Sequence, residues 1–406
     1  MISGKNIVCF ASGWEFHPTS KHHVMRELSR ENNIIWVNWH CSRRPTLGID
    51  DLKSILLRLK QIRQGPRQPS GSITVLTPWQ IPLPESRLAG RLNRALIGRA
   101  VHQVLQKLPE RPVQLWSFAP DVADFVGCFN EEAVIYYCVD AFGEFSGYNR
   151  ALIERREREL IDRANVVITT SPPLYDSKRS LHPNVHLIEH GVDHQHLARA
   201  LADETAVPED IARLPRPIFG FVGVVGDWVD VQLVTELARR RPGASVVMIG
   251  PRSAAFNSIP SLPNLHWLGP RDHRLLPGYL KSFDVGLIPF RQVPLTHNAN
   301  PIKLYEYLAA GVPTVSTSLP AVKPIPGSVW LADDAAAAAD CCDQALRHNT
   351  PAERAARSRL MLAHSWVQRL EELSEIVTQA IEPVGRRHDA CPVHPAETRD
   401  PQLQIA

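Results

Sequence analysis

Residues 284–317 read DVGLIPFRQVPLTHNANPIKLYEYLAAGVPTVST, and their pattern decides the fold class. Val285 to Pro289 is a short apolar run between an acid and a proline, which reads as a strand buried on both faces of a parallel sheet. A polar loop follows. Asn300 then precedes Pro301, an N-cap residue ahead of a proline suited to the first helical position. Leu304, Tyr307 and Leu308 continue at helical spacing, Gly311 stops the helix, and Val312 to Ser316 forms a return strand. The unit is therefore βαβ. Its loop opens onto a helix N-terminus, where unpaired amides and the positive end of the helix accept a phosphate. Lys303 and Glu306 lie three apart, so one helical face offers a ligand both a cation and a carboxylate.

The same rhythm runs through the chain. NIVCFA (6–11), NIIWVNW (33–39), SITVLTP (72–78), VQLWSF (113–118), AVIYYCVD (133–140), NVVITTS (165–171) and VHLIEHG (185–191) read as strands separated by helical segments. PIFGFVG (217–223), SVVMIGP (245–251) and NLHWLGP (264–270) continue it. Such alternation predicts α/β architecture with doubly wound parallel sheets, and 406 residues suffice for two domains with separate cores. The first strand is not followed by GxGxxG, which argues against a nicotinamide-binding unit. Seven cysteines without a CxxC pair point to a reduced, cytoplasmic protein. The N-terminal apolar run is too short for a signal peptide, and no stretch reaches eighteen apolar residues.

Charge is uneven although the net value is only +3. Between Arg43 and Arg111 there are thirteen Lys or Arg against four acids. Two basic helical patterns carry this excess, DLKSILLRLKQIR (51–63) and SRLAGRLNRALIGRAVHQVLQKL (86–108). Two readings follow: cationic faces that meet an anionic membrane surface peripherally, or apolar faces that cover the sheet while the charges stay in water. No aromatic-rich basic groove accompanies the charge, so nucleic acid is not expected.

NPIKLYEYLAAGVPTVST (300–317) resembles the donor-binding signature of retaining GT-B glycosyltransferases of the family 4 type. Further segments resemble that family: GVD at 191–193, FVGVVGDWVD at 221–230, LGPR at 268–271, LPGYLKSFDV at 276–285 and HSWVQRLEELSEIV at 364–377. The variant GDWVD and the shape of the N-terminal half look like the subgroup of teichuronic-acid-type polysaccharide biosynthesis. The resemblance implies two doubly wound Rossmann-like domains facing a cleft, an acceptor-binding one at 1–195 and a nucleotide-sugar-binding one at 196–365. A helix at 366–382 is expected to cross back to the first domain, and 383–406 read by composition as a polar, unstructured tail.

The resemblance also implies a site. Glu306 takes the place of the glutamate that holds the donor ribose, while the family's other glutamate falls on Asn298. Asn300, Pro301, Ile302, Gly223, Gly226, Arg252 and Arg271 fall in the donor-binding segments, and Lys303 falls beside the leaving diphosphate. Asp140 ends a strand where the family often has a cleft-facing histidine; it is expected to hold the sugar or orient the acceptor hydroxyl, or else only to cap its own turn. Gly13, Lys21 and His22 are candidates for contacts to acceptor or phosphate. The expected co-substrate is a nucleotide sugar, a UDP-sugar ahead of a GDP-sugar, with no metal, and the acceptor is a saccharide or a lipid-linked one. This sequence departs from the pattern in three places: Asn298, His190 where the family has asparagine, and Val224 with DWVD (227–230) where the family has an arginine and a lysine. Those losses leave two other classes open, a GT-B protein that binds without transferring and a sugar-nucleotide epimerase of related fold.

Overall fold

A computed structural model describes residues 1–15, 18–39, 58–253 and 260–381. The apolar runs pair into two sheets. The first has the order β3-β4-β2-β1-β5-β6-β7-β8, comprising β1 (Asn6–Ala11), β2 (Asn33–Asn38), β3 (Arg67–Ser70), β4 (Ile73–Leu76), β5 (Val113–Ser117), β6 (Ala133–Cys138), β7 (Val166–Thr169) and β8 (Val185–Leu187). All its pairings are parallel except β3 with β4 at the edge. The second sheet, wholly parallel, runs β11-β10-β9-β12-β13-β14, from β9 (Ile218–Val222), β10 (Ser245–Ile249), β11 (Leu265–Gly269), β12 (Val285–Ile288), β13 (Thr314–Ser316) and β14 (Val329–Leu331).

Alternation along each strand explains why both sheets are covered twice. In β1, Ile7, Cys9 and Ala11 enter one core with Val24, Met25 and Leu28 of the helix Ser20–Leu28, while Val8 and Phe10 enter another with Ile97 and Val101 of the helix Arg87–Leu105. In β9, Ile218 and Val222 face one core and Phe219 and Phe221 the other. Cys9 and Cys138 sit inside buried strands and are free thiols.

Each sheet reverses its winding once. The chain builds β2 and β4 on one side of β1 and then returns to place β5 on the other; it does the same around β9 with β12. Crevices at the carboxyl ends of the strands open at these two reversals, which is where ligands bind in open α/β sheets. The last helix, Trp366–Ile381, returns to the first sheet and buries Trp366, Leu370, Leu373 and Val377 in the core beside Val24 and Leu28. Burial of each such side chain is worth about 1.5–3 kcal/mol, so this helix is a structural part of the first domain.

The basic stretches divide. Residues 58–64 are helical, whereas 40–57 lie outside the described residues, as does the tail from 382. The helix Arg87–Leu105 lays Ile97, Val101 and Val104 inward against the sheet. Among the described residues no helix is long and apolar enough to cross a membrane.

Candidate functional site

The helix that carries the sequence signature spans Ile302–Ala309, one residue later than expected. Pro301 takes the N-cap position in extended backbone, and no side chain caps it. The reading of Asn300 as N-cap is thereby corrected. Its side chain turns instead to the first domain, where Nδ2 donates to the Thr170 carbonyl at 2.8 Å and to the Tyr305 hydroxyl at 3.1 Å. Asn298 ends the short turn that precedes the helix. Its Nδ2 donates to the Pro294 carbonyl at 2.8 Å, closing the turn Pro294–His297, and its own carbonyl accepts from Ser171 Oγ at 2.5 Å. Asn298 thus joins the domains through its main chain, while its side chain is engaged in its own turn.

Lys303 and Glu306 lie as their spacing predicts. Lys303 Nζ stands 2.7 Å from Glu306 Oε2, and both side chains are largely buried, at 12% and 6% exposure. This is no solvated surface pair. Burial removes the water that would screen it, so each charge acts strongly on whatever enters beside it. The next residue fixes the helix to the sheet: the Val222 N–H at the end of β9 donates to the Tyr307 hydroxyl at 2.8 Å. Ile302 packs against the apolar core of the first domain.

Past β9 and β10 the backbones stay together. Gly223 N–H donates to the Ile249 carbonyl at 2.9 Å, and Val225 N–H to the Pro251 carbonyl at 2.9 Å. Gly250 has φ +139°, and a Cβ there would stand 2.0 Å from the Gly223 carbonyl oxygen. A side chain at 250 would therefore separate the two loops. Gly226 lies under the Trp228 ring, where a Cβ would fall within 2.4 Å of it. Arg252 is exposed, its guanidinium 5.4 Å over the Trp267 ring. Arg271 is committed elsewhere: Asp210 accepts from its Nη2 at 2.7 Å and its Nε at 3.1 Å, and the Tyr279 hydroxyl accepts from Nε at 2.8 Å. The Arg271 side chain is therefore held in an ion pair rather than solvated alone, and the main chain of residues 268–271 keeps its place in the donor-binding segment.

On the opposite side, Asp140 follows β6 at the sheet's carboxyl edge. Burial pushes its carboxyl up to about 6, against the lowering charge of Lys21. Gly13 and Trp14 lie in the loop between β1 and the first helix, where Trp14 N–H donates to Asn38 Oδ1 at 2.9 Å. His22 is corrected: it is fully buried, stacks on Trp36 with centroids 4.9 Å apart, and Nδ1 accepts from the Thr19 N–H at 3.2 Å. It is a capping and packing side chain. Burial first, then the charges of Lys21 and Arg26, hold it neutral down to about 3.

Sequence reasoning missed the neighbour. His23 stacks on Trp366 with centroids 5.4 Å apart and rings 7° from parallel, and it feels the charges of Glu306, Asp193 and Lys303. Burial, opposed by Glu306 and Asp193, lowers it to about 4. Only the rotation of the helix about its axis distinguishes His23 from His22, and no spacing rule supplied that. His190 is also buried and lowered to about 4 by burial, against its hydrogen bond to the Asn300 backbone. The adjacent Gly191 is held by closeness rather than turn geometry, since a Cβ there would stand 2.7 Å from the Trp366 ring.

The segment that lacks the family's cations makes a different contact. Ser146 Oγ donates to Asp227 Oδ2 at 2.7 Å, and the Phe145 and Trp228 rings meet edge to face at 6.2 Å. Both contacts join the loop after β6 to the loop after β9, closing one side of the cleft.

Residues 216–348 match the family described as Glycosyl transferases group 1. The Bacillus subtilis protein TuaH, assigned to teichuronic acid biosynthesis as a glycosyltransferase, is 29% identical over 223 residues. That match covers 51% of this chain and 55% of TuaH, so the chain spans about half the length of this relative. Among solved structures, sucrose-phosphate synthase from Thermosynechococcus elongatus superposes with a TM-score of 0.63 at 13% identity, covering 92% of this chain and 98% of that one. Anabaena HepE in complex with UDP and glucose gives 0.63 at 12%, covering 92% and 99%. The UDP-forming trehalose-phosphate synthase of Burkholderia xenovorans with glucose-6-phosphate gives 0.63 at 13%, covering 93% and 100%. The fold is therefore GT-B: two Rossmann-like domains facing one cleft, with the last helix crossing back.

Proposed function

We propose that this chain is a retaining glycosyltransferase of surface polysaccharide biosynthesis, moving a sugar from a UDP-sugar to a saccharide or lipid-linked acceptor. The observation that carries this reading is the buried pair of Lys303 and Glu306 on the helix Ile302–Ala309, whose charges act on the buried His23 of the first domain. Glu306 accepts hydrogen bonds from the ribose hydroxyls. Lys303 and the first amides of its helix neutralise the diphosphate, with Arg252 as a further cation. Asp140 stands where a carboxylate orients the acceptor hydroxyl or stabilises positive charge at the sugar's anomeric carbon. On the front face of the donor, the acceptor oxygen bonds to that carbon as its bond to the phosphate oxygen breaks. The departing phosphate oxygen takes the hydroxyl proton, so no separate base is needed.

The preference for UDP finds support in the fold's likeness to HepE, solved with UDP-glucose. A thermal-shift series with UDP-, GDP-, ADP- and dTDP-sugars tests the donor, because a ligand bound only by the folded state raises Tm. A UDP-sugar is expected to raise it. Glu306→Gln should weaken UDP binding by roughly 1.5–3 kcal/mol, the worth of charge-assisted hydrogen bonds. Equal affinity in the folded variant would remove Glu306 from the donor site. Asp227 stands where a cation is missing and favours a second reading, a binder that does not transfer; UDP release that no saccharide acceptor accelerates would support it.

A further inference from the structure

Among the described residues, exposed large apolar side chains concentrate in one place. Trp79, Leu83, Leu88, Leu92 and Leu96 are exposed by 59, 58, 67, 45 and 42%. Leu88, Leu92 and Leu96 recur every four residues, so they form one stripe along the helix Arg87–Leu105. The opposite face already buries Ile97, Val101 and Val104 against the sheet. This helix therefore has two apolar faces and needs only one to hold the fold. The segment before it is fastened to it, since Asn93 accepts from the Ile81 N–H at 2.7 Å and donates to the Ile81 carbonyl at 3.0 Å.

Charge selects the partner. Arg87, Arg91, Arg94 and Arg99 are exposed on the same helix, and the helix contains no acid. An exposed apolar stripe edged by arginines and led by a tryptophan has the chemistry of a bilayer boundary: leucines in the acyl region, the indole at headgroup level, and guanidinium groups on lipid phosphates. Position agrees with this, because the connection that carries Trp79 and Leu83 leaves the sheet at the carboxyl end of β4, on the edge where the cleft opens. We propose that Trp79, Leu83, Leu88, Leu92 and Leu96 form a face that seats the protein on an anionic lipid bilayer. The proposal is independent of the transfer reaction.

The test is cosedimentation of the full chain with vesicles of phosphatidylcholine alone and of phosphatidylcholine mixed with phosphatidylglycerol. Wild type is expected to sediment with the mixed vesicles and far less with the neutral ones. Leu88→Ser/Leu92→Ser/Leu96→Ser should lower vesicle affinity by roughly 10-fold or more at low salt, because it removes buried apolar area. Its melting point and its response to UDP should stay at the wild-type values, which separates this outcome from a failure of the donor site. Three results would overturn the proposal: no sedimentation of wild type, triple-variant binding equal to wild type, or a concentration-dependent dimer in light scattering that the triple variant abolishes.

Discussion

His22 and His23 show how finely a site depends on helix rotation. His22 fills the space beside Trp14 and Trp36, whereas His23 reaches the interdomain cluster of Trp366, Glu306 and Lys303. Their substitutions should therefore separate. His22→Ala should cost about 2–4 kcal/mol of stability through the cavity it leaves, with UDP affinity unchanged in the protein that remains folded. His23→Phe keeps a ring to stack on Trp366, so stability should move by less than about 1.5 kcal/mol while turnover falls. Denaturant midpoints alongside kcat read both effects, and unchanged turnover in His23→Phe would leave that residue a packing role only. At this scale Lys303 and Glu306 were legible because three-residue spacing puts them on one helical face. Asn298 and Asn300 were not, because their partners Ser171 and Thr170 lie on the other domain more than a hundred residues away.

At the scale of elements, the second domain rests on rings set against glycines in its strands. Gly220 in β9 leaves no room for a Cβ beside Phe283, and Gly286 in β12 none beside Tyr307. Tyr307 adds a polar tie to the end of β9 by accepting the Val222 N–H. Tyr307→Phe keeps the ring and removes the acceptor, leaving a buried backbone donor unpaired. It should lower stability by about 1–3 kcal/mol, read as a shift in denaturant midpoint at constant m-value. Strands buried on both faces were legible as apolar runs. β3, with the sequence RQPS, was not, because an exposed antiparallel edge strand has no need of apolar residues. β14 was too short to stand out. The helix at Ile302 started late because Asn300, which looked like its cap, is drawn to Thr170 across the cleft.

Across the whole molecule, acid sensitivity follows from buried histidines. Burial lowers His22 to about 3 and His23 and His190 to about 4, below the ordinary value near 6.5. Between about pH 6.5 and 4 the unfolded chain therefore holds protons at these positions that the folded chain refuses. Their contribution to stability is complete above pH 6.5 and is lost as pH falls, by up to about 1.4 kcal/mol per pH unit for each histidine. Asp140 opposes them. Its folded value is raised to about 6, so it takes up a proton in the folded chain first and favours folding as pH falls from 6 toward 4. Three histidines outweigh one carboxyl, and urea midpoints measured at pH 7, 6 and 5 should fall in that order. His190→Asn should flatten the slope by about one proton; an unchanged slope would show that His190 is protonated in the folded state.

The polypeptide passes between the domains twice at nearly one point. Val192 N–H donates to the His364 carbonyl at 2.8 Å, Trp366 N–H donates back to the Val192 carbonyl at 3.3 Å, and Val192 bridges Ser365 in parallel. Two crossings fastened side by side act like two pins of a door. They resist sliding and twisting of one domain past the other and leave swinging about a single axis as the compliant motion. That swing would pivot at Val192 and Ser365, and the Ser146–Asp227, Phe145–Trp228, Asn298–Ser171 and Asn300–Thr170 contacts are the latches that oppose it.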